Sequence, residues 1–160
     1  MRIDPHVKEC VERLVVDSAM FIDRDELDHW MDCFETEARY IVTSRENRAL
    51  GYPVGIIHCE TKARIEDRIV CLRHANKYNP HYDRHILSMP RIVSVDSGIA
   101  IAVAETNFMI VQSTKTGESR LFCAGVYEDK IRVADDRARF VERIAVLDTF
   151  AVPTLLATPV

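Results

Sequence analysis

From Arg84 to Asp148 the chain is β in character: runs rich in Ile, Val, Phe and Thr alternate with short turn-forming clusters at Asp96-Ser97-Gly98, Lys115-Thr116-Gly117 and Ala134-Asp135-Asp136. This pattern predicts four long strands, over residues 84–95, 99–113, 119–133 and 137–149. Turns this short favour hairpins and hence an antiparallel meander. Both faces of these strands are apolar. In the third run, side-chain alternation places Leu121 and Cys123 on one face and Phe122, Ala124 and Val126 on the other. One face can cover helices; the other is too apolar to be left in water and calls for a partner surface.

The helices that the sheet would cover lie in the N-terminal half. Asp4 is placed to cap a helix that opens on Pro5, whose missing N–H costs nothing at a first helical position. Val7, Cys10, Val11, Leu14, Val15, Ser18, Ala19 and Ile22 then recur at spacings of three and four, one apolar face of a helix of about five turns. A second start is expected at Asp23, with Asp25 and Glu26 in the first turn and Leu27, Trp30, Met31 and Phe34 as its buried stripe. Residues 38–44 read as a strand, 45–53 as a polar loop closing on Gly51-Tyr52-Pro53, and 56–59 as a short strand or bridge. Thr61 caps a third helix that buries Ile65, Ile69 and Leu72, with Lys62 and Glu66 spaced to pair; Asn79-Pro80 closes any helix there. Helices first and a long meander afterwards give the α+β class, one domain over residues 1–160.

Composition narrows the function. The chain is 48% hydrophobic and 29% charged, ordinary for a folded domain and unlike a disordered one. A formal charge of −4 argues against nucleic acid as a partner. The start, Met1 to His6, has no apolar core of a secretory signal, and the longest apolar run, Ile99–Ala104, is far too short to cross a membrane. Five scattered cysteines, with no pair at CxxC spacing, read as reduced, buried thiols of a cytoplasmic protein.

Motifs for chemistry are sparse. Cys71-Leu72-Arg73-His74 supplies the C-x-x-H half of a Rieske ligand set, but no cysteine has the His two residues on that the other half needs. His81 and His85 lack the glutamate of H-E-x-x-H, and Asp67, His74, His81, Asp83 and His85 form a facial triad on paper only, with no spacing that favours it. G-x-S-x-G, the P-loop and G-x-G-x-x-G are all absent. Tyr40, His58, Asp67 and His85 are groups able to shuttle protons if a cavity gathered them. Arg139, Glu142, Arg143 and Asp148 are charges set within an apolar final strand; such groups are rarely buried unless paired, so a local ion pair or a subunit interface must satisfy them.

A longer ordered set adds to this reading. Tyr40, Ser44-Arg45-Glu46-Asn47, Pro53, Asp67-Arg68, Arg84-His85, Gly125-x-Tyr127-x-Asp129-Lys130 and Arg139-Phe140-x-Glu142-Arg143, followed by Leu147-Asp148, resemble the small (beta) subunit of bacterial aromatic ring-hydroxylating dioxygenases, the Rieske non-haem iron oxygenases, over nearly the whole chain. His74-Ala75-Asn76-x-Tyr78 and Arg84-His85-Ile86-Leu87 are most similar to the type that acts on terephthalate, salicylate or anthranilate. The resemblance implies a cystatin-like cone, a long, curved, mostly antiparallel sheet wrapped around N-terminal helices. It also implies a non-catalytic role in aromatic catabolism, beside a large (alpha) subunit that holds both the Rieske [2Fe–2S] cluster and a mononuclear Fe(II). No catalytic, cofactor or metal residue is then expected on this chain. The partners would be the large subunit, two further copies of this chain in a three-plus-three complex, and indirectly a reductase or ferredoxin. Trp30, Tyr52, Tyr78, Tyr82, Arg84, Tyr127 and Arg143 are the candidate contacts, being of the residue types enriched at interface anchors. The alternatives are a free-standing dehydratase, isomerase or cyclase that uses Tyr40, His58, Asp67 and His85 in the same cone, and a binding module for a small aromatic acid. A cone interior filled by side chains favours the subunit; a polar cavity uniting those four groups favours the enzyme.

Overall fold

The computed structural model describes residues 3–96 and 98–160. Helix α1 (Pro5–Asp23) begins as its sequence dictates, with the Asp4 carboxylate accepting from the His6 N–H at 2.9 Å and Pro5 in the first turn. Its apolar stripe, Cys10 to Ile22, is buried. A second helix beginning at Asp23 is not what forms. Asp23 is the last residue of α1, Asp25 takes a left-handed conformation (φ 60°), and α2 (Leu27–Asp32) opens at Glu26 without a side-chain cap. The Asp23 carboxylate is engaged elsewhere, on His85.

Strand β1 (Phe34–Ser44) is longer than the alternation suggested, because Phe34 leaves the α2 stripe and pairs with Phe140. Ser44 ends β1 and caps a short helix, α3 (Arg45–Ala49), within the expected loop; its Oγ accepts from the Asn47 N–H at 3.1 Å. Strand β2 (Ile57–Cys59) follows, then α4 (Lys62–His74), capped by Thr61 and burying Ile65, Ile69 and Leu72. Lys62 turns away from Glu66 and instead pairs with Asp32 at 3.3 Å, tying α4 to α2.

The expected strand over 84–95 is two strands, β3 (His81–Leu87) and β4 (Arg91–Asp96), both antiparallel to β5 (Ile101–Thr114). Ser88-Met89-Pro90 interrupts them: proline has no N–H for the ladder, while Ser88 keeps the join on β5 through its N–H to the Asn107 carbonyl at 2.9 Å. Ser97, the middle of the expected Asp96-Ser97-Gly98 turn, lies outside the described residues. Strands β6 (Ser119–Ala134) and β7 (Arg137–Leu147) complete the predicted meander. The sheet runs in the order β2-β1-β7-β6-β5-β3, with β4 also on β5. β1 joins β7 in parallel, the one parallel pairing in an otherwise antiparallel sheet among the described residues.

Two backbone features shape the sheet. Opposite Ile110 and Val111, β6 carries an extra residue, Phe122, which breaks the alternation and buries Phe122 and Cys123 together. The expected pairing of Leu121 with Cys123 on one face fails at this bulge, and Leu121 is exposed. At Gly125 the neighbouring strand approaches so closely that a Cβ would collide with the Val146 carbonyl oxygen, so only glycine fits there.

Helices α1, α2 and α4 fill the concave side against Phe34, Phe108, Tyr127, Phe140 and Leu147. Of the five cysteines, Cys10, Cys33, Cys59 and Cys123 are buried, and Cys71 is exposed on α4 rather than in its apolar face. Burial pushes the Cys33 thiol up to about 11 and the Cys123 thiol to about 12. In the native protein at pH 8, Ellman's reagent is therefore expected to titrate Cys71 alone at a measurable rate, and all five thiols once urea unfolds the chain. Rapid native labelling of Cys33 or Cys123 would contradict the packing described.

Candidate functional site

The groups able to shuttle protons do not converge. Tyr40 faces inward from β1, fully enclosed. Its hydroxyl donates to the Val160 carbonyl at 3.0 Å and accepts from the Val160 N–H at 2.9 Å, while Trp30 packs edge-on at 5.2 Å. Burial holds that phenol well above its ordinary pKa, too weak an acid for work near neutrality. His58, one residue out of phase with the inward Cys59 on β2, lies on the convex face, with Nε2 3.1 Å from Glu60. Asp67 is solvent-exposed on α4, 3.9 Å from Arg64.

His85 sits in the seam between β3 and α1, its side chain wholly enclosed. Nδ1 lies 2.6 Å from the Asp23 carboxylate, which also accepts from the His85 backbone N–H at 3.0 Å; Nε2 has no partner among the described residues. Asp23 thus fastens the end of α1 to the sheet. Among the described residues no hydrogen bond joins any two of Tyr40, His58, Asp67 and His85. The space between them is the packed core.

The metal readings fare the same way. Cys71 and His74 are exposed on the last turns of α4. His81 lies 3.4 Å from Asp83, whose carboxylate takes hydrogen bonds from Thr158 at 2.8 Å and Gln112 at 3.3 Å. Among the described residues no three His, Cys, Asp or Glu side chains are grouped to hold a metal ion.

The charges in the last strand divide by face. Arg143 points inward and is fully buried; it donates from Nε and Nη2 to the two Asp129 oxygens at 2.9 and 2.8 Å, and from Nη1 to Ser18 Oγ at 3.0 Å. The guanidinium is sandwiched between the rings of Tyr127 and Phe140, 4.2 and 3.9 Å from their centroids. Burial raises the Asp129 carboxyl above its ordinary value, opposed by the guanidinium charge and its two hydrogen bonds. Glu142 points the other way, held on the convex face between Arg39 and Lys130, each at 2.9 Å.

This placement corrects three candidate contacts: Trp30, Tyr127 and Arg143 are interior residues of this chain and offer no surface. Aromatic and arginine side chains suit interface anchors, but here the rings form the core and the buried Arg143 guanidinium is satisfied within it. Tyr52, Tyr78, Tyr82 and Arg84 are exposed. Tyr82 and Arg84 project from the convex side of β3. There the cross-strand rows Ile86–Met109–Ala124 and Arg84–Val111–Leu121 form an apolar patch, with Ile86, Met109 and Leu121 each 43–58% exposed.

Residues 17–154 match the model of the family described as "Ring hydroxylating beta subunit". The chain belongs to this family. Members it resembles include the anthranilate 1,2-dioxygenase small subunit of Burkholderia cepacia, 39% identical over 87% of this chain and 85% of that one. Another is the beta 1 subunit of the terephthalate 1,2-dioxygenase terminal oxygenase component of Comamonas sp, 39% identical over 88% and 90% of the two chains. A crystal structure of a beta subunit assigned to an aromatic-ring-hydroxylating dioxygenase of Novosphingobium aromaticivorans superposes with a TM-score of 0.86 at 30% identity, covering 96% of each chain. ActVI-ORFA of Streptomyces coelicolor shares the fold alone, at 14% identity, a TM-score of 0.65 and coverage of 86% and 94%. The expected α+β cone and the family resemblance both hold.

Replacing Arg143 by Ala strands the Asp129 carboxylate in the core, so unfolding in urea should show a loss of about 3–5 kcal/mol, whatever its effect on assembly. The double change Arg143→Met with Asp129→Leu should cost less than Arg143→Ala. An Arg143→Ala chain of native stability would contradict the internal role.

Proposed function

We propose that this chain is the structural small subunit of a multicomponent aromatic ring-hydroxylating dioxygenase. The observation that carries the reading is a family match over residues 17–154 in a molecule whose concave interior is filled by its own side chains. The donor set does not fit the Rieske cluster or a mononuclear iron: Cys71 and His74 stand without a second Cys–His pair, and the groups that might ligate Fe(II) are scattered. Both iron centres, and the oxidation of the ring, belong to the large subunit. What this chain contributes is surface.

The convex apolar patch around Ile86, Met109 and Leu121, with Tyr82 and Arg84 at its edge, is the proposed principal contact; Tyr52 and Tyr78 are exposed candidates elsewhere. Three copies of this chain and three large subunits would make the oxygenase, since heterologous contacts close into rings when the rotation permits. A reductase or ferredoxin would serve it indirectly. The names of the anthranilate and terephthalate relatives support a carboxylated aromatic ring as substrate. Five free cysteines support the reducing cytoplasm, and no described helix is long and apolar enough to cross a membrane. The dehydratase, isomerase or cyclase reading loses its support because Tyr40, His58, Asp67 and His85 lie in four separate places.

Co-expression with the large subunit followed by native mass measurement should give an equimolar hexamer. Met109→Glu, on an exposed position, should weaken that assembly about tenfold or more while leaving the melting temperature of the isolated chain unchanged. A chain that stays apart from the large subunit would overturn the reading; a Met109→Glu complex of full strength would remove the patch from it.

A further inference from the structure

The convex face carries a second feature at its other end, and only the assembly arm of its test rests on the subunit reading. A cavity of about 390 Å³, open to solvent, lies between the β1–β7–β6 surface and the segment after α3. Ile41 and Ile144 line it from below; with Val146 they form a small apolar cluster separate from the main core. Tyr52 and Val54, both more than half exposed, stand at its side.

The charges in this cavity do not balance. Arg39 and Lys130 bring two positive charges and Glu142 one negative, its Oε2 taking Arg39 Nη1 and its Oε1 taking Lys130 Nζ, each at 2.9 Å. Glu142 is nearly enclosed, whereas Arg39 and Lys130 are about half exposed, so their remaining N–H groups stay free for a ligand. The other basic groups in the lining, Arg48 and His58, are already matched: Arg48 donates from Nε to Glu128 at 3.0 Å, and His58 meets the exposed Glu60, while the Thr43 hydroxyl donates to the Val54 carbonyl at 2.7 Å. One positive charge with unused donors therefore sits above an apolar floor and beside a tyrosine ring.

We propose that this cavity is a carboxylate-binding site, its carboxylate bridging Arg39 and Lys130 and its apolar body lying over Ile41 and Ile144 against Tyr52. A single carboxylate brings the sum of charges to zero. A neutral ligand leaves the arginine and lysine donors unmatched, and a dianion overshoots. The carboxylate can come from a free small acid or from an Asp or Glu side chain of a partner subunit; the chemistry is the same.

The test is a titration of the full-length chain with benzoate, using benzamide as the neutral isostere, followed by amide and side-chain NMR shifts. Benzoate should shift Arg39, Ile41 and Ile144, and benzamide should not. Arg39→Gln should weaken benzoate binding about tenfold, the scale of one lost charge-assisted hydrogen bond. Glu142→Gln, which removes the competing charge without changing shape, should tighten it severalfold, a gain that a merely structural role would not produce. Melting temperatures of both variants check that the fold survives. Repeated on the assembled oxygenase, continued binding of benzoate assigns the site to a free acid. Exclusion of benzoate there, together with weaker assembly of Arg39→Gln, assigns it to a partner's carboxylate. Equal response to benzoate and benzamide, or weaker binding on Glu142→Gln, would overturn the proposal.

Discussion

A guanidinium sealed from solvent must find its partners inside the protein, and in this chain the rest of the fold is arranged around Arg143. Arg143 on β7 meets Asp129 directly across the ladder on β6, so the ion pair fixes the register of the two central strands. Its third bond reaches Ser18 on α1, which sets the height of the longest helix above the sheet. Tyr127 and Phe140 close over both faces of the guanidinium. Burying two ions costs several kcal/mol each, so such a pair contributes to specifying one packing more than to raising stability. A sliding of β7 by one residue would turn Arg143 outward and drive Glu142 into the core.

The same alternation divides the protein into two functional halves. Inward residues of β1, β5, β6 and β7 pack against the helices in one hydrophobic core. Outward residues meet solvent, and they differ along the sheet: apolar around Met109 at one end, cationic around Arg39 and Lys130 at the other. A concave surface spent on the chain's own core is what separates a scaffold from an enzyme on the same architecture, because fold alone decides neither. Asp23 and His85 illustrate the point. A carboxylate beside a histidine has the makings of a proton relay, yet here both are enclosed and the pair joins a helix end to a strand.

Much of this was legible in the sequence. The caps at Asp4, Ser44 and Thr61 obey local rules, but the five residues of helix after Ser44 are too few to show a periodic apolar stripe. The turns before β6 and β7 were plain. Long-range pairing was not. Nothing local says that β1 joins β7 in parallel, that Phe122 is an extra residue in β6, or that Asp23 belongs to a histidine 62 positions away. The parity of Glu142 and Arg143 was visible as adjacent charges in a strand, but which of them faced inward depended on partners in other elements. Pro90 is a local signal too, since it divides β3 from β4 by a rule that reads directly from sequence. The interface candidates failed where residue type stood in for exposure: Trp30, Tyr127 and Arg143 have the chemistry of anchors and the positions of core residues.

The central claim is that oxidation occurs on another polypeptide. Metal analysis of the purified chain alone, set beside the same analysis of the assembled oxygenase and a turnover assay on each, tests it most directly. The account predicts iron and activity in the assembly and neither in the isolated chain. Stoichiometric iron bound to this chain, or ring hydroxylation by it unaided, would contradict it.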